Sequence, residues 1–134
     1  MEFYRCEVAY KGSQLHGIYE WAGKIMSRIS NLENKYFLAH QGKENQEAWQ
    51  KEVECSQDFD WMEETMYYLD SLKIPPFQIL RQGKCAYTEE GYRKFAEYIE
   101  NYKHIAGKYG YDVEIRKVEP EKILYQDELQ IVFQ

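Results

Sequence analysis

TEEGYRKFAEYIENYKHIAGKYGYDVEIR, residues 88–116, carries two hydrophobic periods in succession, and the change from one to the other decides the fold class. From Thr88 onward, Tyr92, Phe95, Ile99, Tyr102, Ile105 and Ala106 recur every three or four positions, while Arg93, Glu97, Glu100 and His104 fall opposite. That spacing matches the turn of an amphipathic helix with Thr88 as its N-cap. Gly107 and Gly110 end it. Tyr111, Val113 and Ile115 then alternate with Asp112, Glu114 and Arg116, the two-residue period of a half-buried strand.

Toward the C-terminus, Glu119-Pro120 breaks the pattern, and a final strand sets Leu129, Ile131 and Phe133 against Glu128, Gln130 and Val132. Toward the N-terminus, residues 77–80 form a strand candidate closed by Gln82-Gly83-Lys84, and Pro75-Pro76 before it stops any helix. The helix stopped there spans residues 58–72, with Phe59, Met62, Met66 and Leu69 as its stripe. Residues 44–55 are polar and weakly helical, and residues 36–39 make a short strand ended by Gln41-Gly42-Lys43. At the start of the chain, Tyr4, Cys6, Val8 and Tyr10 alternate with Arg5, Glu7 and Ala9 as a first strand. Ser13 then caps a helix to about residue 29, whose core stripe is Leu15, Ile18, Tyr19, Ala22, Ile25, Met26 and Ile29, with His16, Glu20, Lys24 and Ser27 opposite. The polar faces of the last two strands imply a sheet solvated on one side. The expectation is a single α+β domain over residues 1–134: a mixed sheet of four to five strands with about three helices packed mainly on one face.

Composition narrows the function classes. The 134 residues are 44% hydrophobic and 30% charged with a net charge of −6, values of a folded rather than a disordered chain. No apolar run approaches the roughly 20 residues of a membrane helix, and Met1-Glu2-Phe3-Tyr4-Arg5 lacks the basic start and apolar core of a signal peptide. The chain is therefore expected to be cytoplasmic and to stay off the membrane. Cys6, Cys55 and Cys85 form no Cys-x-x-Cys pair, which predicts buried thiols rather than disulfides or a zinc site. Glycine-rich phosphate loops, dinucleotide fingerprints, His-Glu-x-x-His and Gly-x-Ser-x-Gly are all missing. Of the histidines, His16 and His104 fall on solvated helix faces. These features lean toward a non-enzymatic protein without a cofactor and leave an enzyme as the alternative. Direct nucleic-acid binding is disfavoured as well, because the bases occur only in pairs such as Arg93-Lys94 and Arg116-Lys117.

One window departs from this evenness. Residues 51–70 hold seven acids, Glu52, Glu54, Asp58, Asp60, Glu63, Glu64 and Asp70, against the single base Lys51, while acids and bases are equal in number elsewhere. The whole net charge thus resides in twenty residues. Trp61, Tyr67 and Tyr68 lie in the same window, and one helix face cannot bury them together with the Phe59 to Leu69 stripe. A conservative explanation exists: in a helix beginning near Asp58, first-turn acids are favoured by the macrodipole, and Trp61 packs beneath residues 44–55. The alternative is a face made of Asp58, Asp60, Trp61, Glu63, Glu64, Tyr67 and Tyr68 that engages a basic protein, as adaptor or inhibitor, including one that ordinarily holds nucleic acid. Asp58, Asp60 and Glu63 lack the glycine turn and distal glutamate of a calcium loop, so no metal is expected there. Thirteen tyrosines in the chain suit surface recognition.

Two further readings compete. Residues 36–43 and 77–84 both end in Gln-Gly-Lys. If both are strand ends, His40, Gln41, Lys43, Gln82 and Lys84 would frame a pocket for a small ligand or phosphate, in a binding protein or an enzyme. Alternatively, Trp61 and Tyr68 close a homodimer.

Overall fold

A computed structural model describes residues 1–134, and the chain is an α+β fold. The elements in order are β1 (Phe3–Tyr10), β2 (His16–Gly17), α1 (Ile18–His40), α2 (Gln46–Leu69), α3 (Phe77–Leu80), β3 (Lys84–Thr88), α4 (Glu89–Lys108), β4 (Tyr111–Val118), β5 (Ile123–Gln126) and β6 (Gln130–Phe133). No helix is long and apolar enough to cross a membrane.

Residues 88–116 fold as their two periods dictate, into α4 and then β4. Thr88 caps α4 by accepting a hydrogen bond from the Gly91 N–H at 3.0 Å, and its own hydroxyl donates to the Glu128 carbonyl at 2.7 Å. The cap therefore ties the helix start to the loop before β6. Replacing Thr88 by alanine removes both bonds and is expected to cost about 1 to 2 kcal/mol in a denaturant titration. Phe95, Ile99, Tyr102, Ile105 and Ala106 are buried in one cluster with Cys6 and Val8 of β1, Tyr111 and Val113 of β4, and Ile25 and Ile29 of α1. Tyr102 brings its hydroxyl into this core by donating to the Ile18 carbonyl at 2.8 Å.

All strand pairings are antiparallel, where a mixed sheet was expected. The helical crossover α4 joins β3 to β4, which run parallel to each other but lie on opposite edges of β1, so no two neighbouring strands are parallel. β4 pairs with β1 along its whole length, from Phe3↔Val118 to Tyr10↔Tyr111. A strand has two hydrogen-bonding edges, so β2 and β3 share the other: Glu7 and Val8 pair with Gly17 and His16, and Phe3 and Tyr4 pair with Thr88 and Tyr87. β6 and then β5 extend the sheet beyond β3. The curl gives the face away from the helices a small core of its own, made by Phe3, Ala86, Val118, Ile131 and Phe133. β6 is buried on both faces: Ile131 and Phe133 enter this small core, while Gln130 and Val132, expected on a wet face, lie on the opposite face beside Tyr87 and Cys85. Arg5 and Glu7 are likewise buried, whereas Asp112, Glu114 and Arg116 of β4 keep the expected exposure.

Four local expectations change. Residues 36–39 are no strand but the last turn of α1, because nothing between Ile29 and His40 breaks the helix; Leu32 and Tyr36 simply extend its inward stripe. The first residue to stop it is Gly42, at φ +69°, a conformation costly for residues with a Cβ. Residues 44–55 and 58–69 are a single helix, α2, capped by Asn45, whose side chain accepts from the Ala48 N–H at 3.1 Å. Residues 77–80 form one helical turn rather than a strand, since Pro76 presets the chain and its carbonyl accepts from Ile79 and Leu80; the strand lies later, at β3. Leu15, assigned to the first helical stripe, lies before α1 and is exposed, while Trp21 takes a buried place in that stripe; Ser13 is not its cap but accepts from the Tyr10 N–H in the turn after β1, and Gly17 stands at the N-cap.

α2 packs on α1 and α4 rather than on the strands. The helix carrying the acidic window is thus the outermost element of the helical layer.

Candidate functional site

α2 turns Cys55, Asp58, Met62, Thr65, Met66 and Leu69 inward. Residues three and four apart share a helix face, so Trp61, Glu64 and Tyr68 form one outward row and Asp60, Glu63 and Tyr67 stand beside it. The rings are open to solvent: Trp61 is 50% exposed, Tyr67 75% and Tyr68 40%. Tyr68 stacks on Tyr98 of α4 with centroids 4.6 Å apart and planes at 16°, and Tyr67 meets Tyr68 edge-on at 5.4 Å. Burial beneath this stack, then the neighbouring Tyr68 and the charges of Glu97 and Glu64, push the Tyr98 hydroxyl above its ordinary value. A third tyrosine and Glu97 therefore join the face. Their sequence signal was weak: Tyr98 sits one position before the inward Ile99 and belongs to neither face of the α4 pattern.

The continuity of α2 removes both parts of the conservative explanation. With the helix starting at Gln46, the acids from Asp60 onward lie in its middle and C-terminal half. There the macrodipole gives them no stabilisation and opposes those near the end. Residues 44–55 continue along the helix axis, so they cannot fold over Trp61. The last turn contains no base, and the carboxyl of Asp70, at the C-cap, is pushed up by partial burial.

Asp58 leaves the proposed face. It is buried, accepting the Tyr109 hydroxyl at 2.6 Å and the Lys108 ammonium at 2.8 Å. Burial, followed by the bond to Asp58, raises the Tyr109 hydroxyl far above the usual tyrosine range. Asp58 thus fastens α2 to the end of α4. Glu52 is held by His40 at 2.5 Å, and Glu47 pairs with Lys51 at 3.1 Å. Asp60, Glu63 and Glu64 take part in no ion pair of the fold.

The pocket drawn from the two Gln-Gly-Lys segments is not assembled. His40 ends a helix rather than a strand, Gln41 is its C-cap, and Lys43 lies in a shallow polar depression with Trp49. Gln82 is exposed and donates to the Gln78 carbonyl at 3.1 Å, and Lys84 stands at the mouth of a different cavity, shared with Ile18. Ile18 and His40 are the two ends of α1, so the segments are separated by roughly 30 Å at 1.5 Å per residue. The shared tripeptide closes a helix in one place and opens a strand in the other. No three His, Cys, Asp or Glu side chains gather as a metal set.

Compared with known proteins, the chain matches no family model, no curated sequence and no solved structure.

Proposed function

We propose that this protein is a docking module that engages a basic surface of another protein through the C-terminal half of α2, with Asp60, Trp61, Glu63, Glu64, Tyr67 and Tyr68 as the contact residues and Tyr98 as their support. The observation that carries this reading is the coincidence of unpaired carboxylates with exposed rings at the negative pole of a long helix. Uncompensated charge at that pole is stabilised when a partner brings lysines and arginines to it, and the rings supply the large, low-entropy contact area typical of interface anchors. A two-fold homodimer through the same face would set acids against acids, which argues for a foreign partner. Phosphate backbones are repelled for the same reason. The module acts as an adaptor or as an inhibitor that occupies a basic site.

A pulldown from native extract, comparing the wild type with a variant carrying Asp60→Asn, Glu63→Gln, Glu64→Gln and Trp61→Ala, tests the reading. The wild type should retain a basic protein that the variant loses. With that partner purified, Trp61→Ala alone should weaken affinity about thirtyfold, as interface tryptophans do. Affinity should also fall as salt rises through the range where the screening length is about 10 Å. A partner held equally by the variant, or an affinity flat in salt, would overturn the proposal.

A further inference from the structure

Between the stretches of β1 that pair with β2 and with β3, the sheet opens. Tyr4 faces Tyr87 and Glu7 faces Gly17, so Arg5 and Cys6 have no strand beside them on that edge. The gap is a cavity of about 260 Å³, closed by Ile18 and Tyr19 of α1, Leu80, Cys85 and Tyr87. Two polar side chains in its wall are almost wholly buried, Arg5 at 7% and Gln130 at 5% exposure. The Arg5 Nε donates to Glu7 at 3.2 Å and Nη1 to the Cys85 carbonyl at 2.7 Å, leaving Nη2 without an acceptor. The Gln130 Nε2 donates to the Lys73 carbonyl and to Asp127. Both of those partners are acceptors, which fixes the orientation of the amide and leaves its Oε1 unengaged. The one fully buried side-chain polar atom without a partner is Arg28 Nε, so the Arg5 Nη2 and the Gln130 Oε1 keep accessible surface, and a cationic donor and a neutral acceptor are open to an occupant of one cavity.

We infer that this cavity binds a small organic anion, a carboxylate carried on an apolar body, with Arg5 as the group that meets the charge. The local charge supports that sign. Glu7 is shared between Arg5 and Arg116, so the three together remain positive, and Lys84 adds a second cation at the mouth. The one acid of the wall, Glu20, gives one carboxylate oxygen to His16 at 3.0 Å and holds the other beside Gly17, where the Arg5 Nη2 also lies; its charge offsets one cation, and Arg5, Glu7, Arg116, Lys84 and Glu20 together still sum to one positive charge. The hydroxyls present compete for no anion: Tyr19 donates to the Leu69 carbonyl at 2.9 Å, so Tyr87 donates to Tyr19 at 2.8 Å, and neither proton is free. Burial pushes both phenols up and raises the Cys6 thiol to about 12, so these walls are neutral. Guanidinium N–H groups match a carboxylate in geometry and charge. A dry cavity of about 150 Å³ accommodates benzene, so the larger space here fits a ring with a short acidic arm.

A titration of the ¹⁵N-labelled protein with 3-phenylpropionate, followed by amide shifts, decides the matter. Saturable shifts at Ile18, Cys85 and Tyr87 with Kd on the order of 1 mM are expected for a ligand of this size. The uncharged 3-phenylpropionamide should bind about tenfold more weakly, and Arg5→Gln should impose a similar loss on the acid. If Arg5→Gln fails to fold, Leu80→Trp, which fills the cavity from a half-buried position, takes its place and should abolish the shifts. Absence of saturable shifts up to about 10 mM, equal binding of acid and amide, or undiminished binding by Leu80→Trp overturns the assignment. Inorganic phosphate alone shifting the same amides with equal affinity would overturn the apolar part of the ligand class. None of these outcomes depends on the α2 face.

Discussion

Gly91→Ala is expected to destabilise the protein by about 3 kcal/mol or more, although the position lies in a helix, where alanine ordinarily gains about 0.4 to 1 kcal/mol over glycine. A Cβ at Gly91 would fall 1.9 Å from the Leu129 carbonyl oxygen and 2.8 Å from its carbon, closer than any side-chain carbon can approach. The obstacle is backbone, and it cannot retreat cheaply. The Leu129 carbonyl accepts the Thr88 N–H at 3.1 Å, the Thr88 hydroxyl donates to Glu128 at 2.7 Å, and Asp127 accepts from the Leu129 and Gln130 N–H groups. Relief therefore requires unseating the loop before β6 or the first turn of α4. The same helix supplies the control, because a Cβ at Gly107 meets nothing within 4 Å. Gly107→Ala should raise the guanidinium unfolding midpoint while Gly91→Ala lowers it, each with unchanged slope. Equal signs at the two positions would show that helix propensity, not the crossing of two backbones, governs Gly91.

The parts of the fold legible in the sequence are those where one period runs its full length against one neighbour. α4 and β4 qualify, and so does the inward face of β1, Cys6 and Val8. A local signal misleads where the element around it runs further than the signal itself. The run Tyr36-Phe37-Leu38-Ala39 has strand composition, yet its register continues the α1 stripe from Ile25 and Ile29 through Leu32 and Tyr36. Pro75-Pro76 marks a stop correctly, but Phe77 after it is 71% exposed, so the hydrophobicity there belongs to a surface turn. The acidic window was legible as composition; its meaning depended on where α2 begins, and Asn45 lies thirteen residues before Asp58. Shifting that start moves the acids from the favoured pole of the macrodipole toward the unfavoured one. Arg5 illustrates a different limit. Alternation placed it on the wet face, and only the curl of the sheet, a relation among β1, β3 and β6, buries it.

Glu7→Gln is expected to cost about 3 to 5 kcal/mol at neutral pH, the range for removing one partner of a buried ion pair. Glu7 is 4% exposed and accepts from Arg5 at 3.2 Å and from Arg116 at 2.5 Å. These two arginines face each other across the β1–β4 ladder. The bond from Arg116, with that from Arg5, holds the Glu7 carboxyl below its ordinary value against the opposing effect of burial. A depressed folded-state pKa means that the unfolded chain binds the proton first as pH falls. The stabilisation is therefore complete above the usual glutamate range near 4.3 and is lost as acid titrates Glu7 through its lower native value. The difference between wild type and Glu7→Gln should accordingly be large at about pH 7 and shrink toward pH 3, measured as the gap between urea midpoints. Arg116→Ala should cost much less, because half of the Arg116 side chain is exposed and its loss leaves Glu7 paired with Arg5. Removal of Glu7, by contrast, leaves the Arg5 guanidinium, 92% buried, with the Cys85 carbonyl as its one remaining hydrogen-bond acceptor. A Glu7→Gln penalty equal at both pH values, or no greater than that of Arg116→Ala, would mean that Glu7 contributes packing rather than charge.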